Sequence, residues 1–284
     1  MGAADGAVYA RHTVQVQGFE VAYFLGGRLE NIAPVLYLHG LGATGRWDAY
    51  HMAMGTVTRV YAPQYPGWLE GAIPEGLDTV EDYARLMANF LDEVGVGEAT
   101  LVGHSLGGWM ALLLATQQPE RFPRLILIDP LGLDVPSAPT ADLGGLDDEE
   151  FATSIFGRLG LIATAEPNGF GAAWQNVRQG PEFARQSKGR GMAATLAGGS
   201  YADDTLTRAV NALESDALLV WGALDGVVPP QQGEVLRKAM PNCQLTVIEE
   251  AGHLPMVEKP ETFHRVVRNY LIGLEEDIPG VTRS

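Results

Sequence analysis

Val102-Gly103-His104-Ser105-Leu106-Gly107-Gly108 (VGHSLGG) sets one hydroxyl between two glycines, one placed two residues before it and one two residues after it. The run before it, Thr100–Val102, is short and mostly apolar, as a strand buried on both faces is. The run after it, Gly107–Gln118, is apolar almost all round, as a helix packed against a sheet is. Strand, tight turn and helix in that order put Ser105 on a sharp bend that tolerates only small neighbours. Of the seven serines, Ser105 alone has this setting. The plain reading is a glycine-rich turn without chemistry; the sharper one is a nucleophile, which needs a base in reach and a group to orient the base.

Working outward, the same buried-strand pattern recurs at Val35–Leu38, Arg59–Ala62, Leu125–Ile128, Ala217–Trp221 and Leu245–Ile248. Before them, Thr13–Gln17 and Glu20–Phe24 alternate polar and apolar residues around Gly18, which predicts an antiparallel hairpin. Amphipathic spacing predicts helices at Thr79–Val94, with Thr79 as N-cap and Asp82 in the first turn, and at Pro230–Met240 and Glu261–Leu274. Strands alternating with helices predict an α/β protein with a doubly wound, mostly parallel sheet. The rhythm stops after Pro130 for about 85 residues punctuated by Pro and Gly. Helices are expected there at Asp148–Gly157, Gly171–Arg178 and Pro181–Met192. The organisation expected is a core of residues 1–130 and 215–284 carrying an inserted helical cap, residues 131–214.

Open α/β sheets put their sites at the carboxyl ends of the strands. His253, in Glu250-Ala-Gly-His-Leu-Pro255, follows the last strand of this pattern and is the expected base. Asp225 follows Ala217–Trp221 in VWGALDGVVPP and is the expected acid. Asp129, at the end of LILIDP, is the rival acid, otherwise read as a helix cap or structural acceptor. His104 adjoins the serine and is expected to pack or to hold the bend. Charge developing on a carbonyl oxygen needs preorganised donors. The backbone N–H of Leu106 opens a helix and supplies one; Leu41, in Tyr37-Leu-His-Gly-Leu-Gly42, supplies the other, with Gly42 second. Gly40, Gly42, Leu131, Val228 and Leu254 are the expected substrate contacts.

The chain has 284 residues, 46% hydrophobic and 19% charged, which suits a globular enzyme. Its net charge of −16 disfavours nucleic acid and anionic membrane surfaces as partners. One cysteine, Cys243, allows no intrachain disulfide. The start of the chain has no basic stretch followed by an apolar one, and no apolar run nears the ~20 residues of a membrane span. A cytoplasmic monomer or homodimer acting on a small molecule is expected. No metal or other cofactor is expected, because His and acid pairs at ligand spacing are missing and LGGRLEN and GLGATG lack a phosphate-loop context.

LYLHGLG, LVGHSLGG, WGALDGVVP and EEAGHLPMVEKPETF together resemble the α/β-hydrolase superfamily, and APQYPG is similar to its loop after the fourth strand. The resemblance covers about residues 12–130 and 215–275. It implies a Ser105–His253–Asp225 triad, a Leu41/Leu106 oxyanion hole and hydrolysis of a carboxylic ester through an acyl-enzyme. Serine at the bend argues against dehalogenases and epoxide hydrolases of this type, which carry aspartate there. Hydrolases of carbon–carbon bonds in ring-fission products usually carry tryptophan after the histidine; here Leu254 follows. Lactonases and perhydrolases share the triad, and a non-catalytic ligand-binding member is the reading from another class. Gln64 and Trp68 depart from the residues relatives often have, which bears on pocket shape.

Overall fold

The computed structural model describes residues 9–28, 32–42, 46–69, 71–165 and 167–284. The opening residues read above for a leader, and parts of the LGGRLEN and GLGATG stretches, lie outside that range. The chain begins with the expected hairpin, longer than its alternation suggested: β1 is Tyr9–Val16 and β2 is Phe19–Gly27. Gln17 belongs to the turn, where it and Gly18 both take positive φ (51° and 90°). That is the two-residue turn whose twist matches the strands.

Then follow β3 (Val35–Leu38), α1 (Ala49–Gly55), β4 (Arg59–Pro63), α2 (Val80–Glu93), β5 (Thr100–His104), α3 (Leu106–Gln117) and β6 (Arg124–Ile128). Thr79 caps α2 as its sequence predicts: its Oγ1 accepts from Asp82 N at 3.1 Å, and Asp82 Oδ2 accepts from Thr79 N at 3.0 Å. Helix α1 had no periodic signal of its own in seven residues.

Residues between β6 and the next sheet strand form β7 (Gly132–Leu133), α4 (Asp148–Ile155), α5 (Gly157–Ala165), α6 (Pro167–Arg178), α7 (Pro181–Leu196), β8 (Ala202–Asp203) and α8 (Asp204–Ala209). The helices at 148, 171 and 181 were anticipated. Helices α5 and α8 and the short parallel β7–β8 pair were not. The chain closes with β9 (Asp216–Gly222), α9 (Gln231–Ala239), β10 (Cys243–Ile248), α10 (Pro255–Glu258), α11 (Pro260–Ile272) and β11 (Val281–Arg283).

One sheet runs β1-β2-β4-β3-β5-β6-β9-β10-β11. Its centre, β4-β3-β5-β6-β9-β10, is parallel, and the outer pairs β1–β2, β2–β4 and β10–β11 are antiparallel. Central strands are buried along their length, as with Val35–Leu38 and Thr100–His104, because helices cover both faces. Helix α3 buries Leu106, Trp109, Met110, Leu112 and Leu114 on all sides, which accounts for its unbroken apolar run. This parallel centre ends β3, β5, β6, β9 and β10 at one edge, and the loops leaving that edge carry Leu41, Ser105, Asp129, Asp225 and His253. Among the described residues no helix is long and apolar enough to cross a membrane.

Candidate active site

Ser105 sits between β5 and α3 with φ 54° and ψ −117°, a conformation an L-residue adopts only when its surroundings enforce it. The flanking glycines explain how. A methyl group on Gly103 would lie 2.7 Å from Gly107 C and 2.8 Å from Gly108 Cα. Strand and helix therefore meet backbone to backbone beneath the serine. Ser105 O accepts from Gly108 N at 2.9 Å and Trp109 N at 3.1 Å, which starts the helix directly at the bend. The Leu106 N–H is then among the first N–H groups of α3, which have no partner within a helix.

The three sequence candidates converge. His253 Nε2 is 2.8 Å from Ser105 Oγ, and His253 Nδ1 is 2.8 Å from Asp225 Oδ2. Asp225 Oδ1 accepts from Val227 N at 2.7 Å and Val228 N at 3.0 Å, which fixes the carboxylate in its turn. Ser105 is wholly buried and His253 is 1% exposed, so the hydrogen bonds form away from competing water. His104 turns away from the serine: its Nε2–H donates to His253 O at 2.8 Å and so ties the bend to the histidine's own backbone. Burial and the neighbouring His253 pull its pKa down to about 3, so the ring stays neutral.

Asp129 does not orient the histidine and does not cap a helix. It is wholly buried, with φ 43°, and its Oδ1 accepts from Gly222 N at 3.0 Å. Its Oδ2 is buried without a hydrogen-bond partner. Burial and the adjacent Asp225 raise its pKa well above the ordinary value. His104, Asp129 and His253 bring potential metal-ligand atoms within 4.8 Å of one another, but both ring nitrogens of His253 are engaged by Asp225 and Ser105.

The loop after β3 lies against the bend. A methyl on Gly40 would stand 2.7 Å from His104 Nδ1 and 3.0 Å from Ser105 Cβ. Two residues unforeseen in this role hold the loop: Tyr65 Oη donates to His39 O at 2.9 Å, and Trp68 Nε1 donates to Leu41 O at 2.9 Å. His39 donates from Nδ1 to Gly40 O at 2.8 Å, and burial pulls its pKa down to about 4. The APQYPGW stretch showed a loop here. That Trp68 braces the Leu41 carbonyl is a matter of tertiary contact.

A cavity of about 320 Å³ opens beside this loop. Of the expected substrate contacts, Gly40, Gly42 and Leu254 line it, together with Arg46, Tyr50 and Arg185. Leu131 and Val228 do not. Both are wholly buried, and Val228 O accepts from Trp221 Nε1 at 2.9 Å. Those two pack within the hydrophobic core.

A parallel sheet with a serine on a strained strand-to-helix bend and a histidine–aspartate pair at the same edge defines a hydrolase fold. Residues 35–266 match the alpha/beta hydrolase family, and the chain belongs to it. The 2-hydroxymuconate semialdehyde hydrolase of Pseudomonas putida is 26% identical over 263 residues, covering 84% of this chain and 86% of that protein. A membrane phospholipase A, described as a bacterial virulence factor, is 26% identical with a TM-score of 0.63, covering 93% of this chain and 86% of that one. A serine hydrolase from Cycloclasticus zankles superposes with a TM-score of 0.72 at 19% identity, covering 95% and 100%.

Proposed function

We propose that this chain is a serine hydrolase that cleaves carboxylic esters of small to medium acyl groups. The observation that carries the reading is the unbroken chain Ser105 Oγ, His253 Nε2, His253 Nδ1, Asp225 Oδ2, with both links at 2.8 Å. His253 takes the proton of Ser105 as Oγ attacks the acyl carbon. Asp225 orients the imidazole and stabilises its charged form. The Leu41 and Leu106 N–H groups receive the oxyanion, a contribution typically worth ~3 kcal/mol per donor. His253 then hands its proton to the leaving alcohol, and a water activated by the same nitrogen cleaves the acyl-enzyme. The 131–214 segment acts as a cap, and the 320 Å³ cavity, lined by Gly40, His104 and Leu254 next to Ser105 and His253 rather than by those two themselves, supports a substrate of modest size.

The test is turnover of p-nitrophenyl acetate, butyrate and palmitate. Activity is expected on the first two, and a preference for palmitate would overturn the size assignment. Ser105→Ala is expected to lower kcat by about 10⁶-fold with folding intact; a fully active variant would end the proposal.

A second reading is hydrolysis of a carbon–carbon bond in a ring-fission product. The likeness to 2-hydroxymuconate semialdehyde hydrolase favours it, while Arg46 and Arg185 at the cavity are paired with Asp48 and Glu182. Faster turnover of 2-hydroxymuconate semialdehyde than of any ester would select it.

A further inference from the structure

The corner between α4 and α5 is wedged into both loops that carry the histidine and the aspartate. Ser154 O accepts from Gly226 N at 3.0 Å, one residue past Asp225. Ile155 O accepts from the N–H of His253 itself at 2.8 Å. These are backbone bonds, so they depend on how closely the corner approaches rather than on its side chains.

Glycines permit that approach. A methyl on Gly157 would lie 2.6 Å from Leu224 Cβ and 2.7 Å from Gly252 N. On Gly226 it would lie 2.9 Å from Ser154 Cα. On Gly252 it would run into Gly157 N and Ile155 O. Neither loop can bear a side chain where the corner docks.

One side chain spans the junction. Glu258, at the end of α10, is half-buried; its Oε2 accepts from Gly252 N at 2.6 Å, and its Oε1 faces Arg158 N at 3.5 Å. The residue before α5 is Phe156, which has no side-chain acceptor, so the exposed N–H groups at the start of α5 find their acceptor 100 residues away. A carboxylate there also suits the positive end of the helix. The same carboxylate thus holds the residue before His253 and the first turn of α5.

We infer that Glu258 is a positioning residue, clamping the Ser154–Arg158 corner onto the loops of Asp225 and His253 and so setting His253 against Ser105. The inference rests on the reading of Ser105, His253 and Asp225 as the working triad. Without the clamp, Ile155 O and Ser154 O lose their register with His253 N and Gly226 N. A misplacement of ~1 Å at reacting groups can cost about 100-fold in rate.

Glu258→Ala and Glu258→Gln in the full chain test this. The readouts are kcat and KM on p-nitrophenyl butyrate, the rate at which a fluorophosphonate labels Ser105, and the low-field NMR signal of the proton between His253 and Asp225. Glu258→Ala is expected to lower kcat and the labelling rate by about 100-fold, with KM little changed and the proton signal lost. Glu258→Gln keeps one acceptor oxygen for one of the two N–H groups and should recover part of the rate and the signal. Unchanged kcat and proton signal with only a lower melting temperature would overturn the inference and leave Glu258 as a brace. If Glu258→Ala does not fold, Glu258→Gln decides alone, and wild-type rate and signal there would overturn it. A wild-type chain that labels but turns over no ester would defeat the ester assignment, and the labelling rate and proton signal would still decide this one.

Discussion

The loops at the carboxyl edge of the sheet and the 131–214 segment above them are held by different means. Each loop follows a buried strand, and its functional group is fixed within a few residues of that strand. The Ser105 bend is held by Gly103 and Gly107, and the Asp225 turn by two N–H bonds to one carboxylate oxygen. The segment is held by its own buried side chains, Phe151, Ala152, Ile155 and Ala193 among them, and by scattered bonds such as Ala141 N to Val227 O at 2.9 Å. Helix α5 buries Gly157 and Leu159 and leaves Leu161 46% exposed, and among the described residues of the segment it is the α4–α5 corner that bonds to the loops of Asp225 and His253 together. The loops are thus fixed locally, and the segment meets the Asp225 and His253 loops together at one corner.

Substitutions can break or sharpen this contrast. The largest effect after the nucleophile is expected at Asp225, with Asp129 as its contrast. Asp225→Asn should cut kcat by about 10⁴-fold, because the imidazole then loses its tautomer and its counter-charge. Asp129→Asn should leave kcat near wild type, since Asp129 Oδ1 bonds Gly222 N while His253 Nδ1 bonds Asp225. Comparable losses at both positions would show that the two share the orienting role.

Next comes the sheet itself. Leu101 in β5 is wholly buried beneath the bend. Leu101→Ala should destabilise by about 2–5 kcal/mol in denaturant unfolding. A cost under ~1 kcal/mol there would mean that the frame relaxes far more easily than its packing implies.

Acid should act on the frame as well. His39, His51 and His104 are buried and held neutral, with pKa values pulled by desolvation from 6.5 to about 4, 3 and 3. The unfolded chain takes up those protons near 6.5 and the folded chain does not. Their contribution to stability is therefore complete above pH 6.5 and is lost as pH falls toward 4 and 3. Asp129 runs the other way: its raised pKa favours the fold below its ordinary 3.8 and gives that up as pH rises. Glu258, also raised by burial, acts with Asp129, and His264, lowered by burial, acts with the other histidines; four groups against two predict a melting temperature that drops between pH 6.5 and 4. Asp129→Asn should raise it at pH 7 more than at pH 4. A flat profile across that window would contradict the neutral histidines.

The smallest effect is expected in the 131–214 segment. Leu161→Ser on α5 should change stability by no more than about 0.5 kcal/mol, as exposed positions usually do. A larger loss in thermal unfolding would mean that α5 is packed more firmly than its exposure indicates.

The parallel sheet was legible because a strand buried on both faces has no polar face to vary. Val35–Leu38 and Leu125–Ile128 therefore read as strands from composition alone. Ser105, His253 and Asp225 were legible for a related reason: each follows such a strand at a known edge, so position along the chain implies position in space. Helices α5 and α8 carry few buried residues, and a pattern of burial that weak leaves no period to read. Leu131 and Val228 were expected at the substrate and lie in the core, since strand endings do not tell which way a turn folds back.

The residue order by itself determined the fold class, the bend at Ser105 and the two loops that could answer it, because those follow from local patterns of size and polarity. Tertiary structure alone set Asp225 rather than Asp129 at hydrogen-bond distance from His253, gave Trp68 a carbonyl to hold and brought Glu258 to the start of α5. Each of those depends on distances between segments far apart in the chain, which no local pattern encodes.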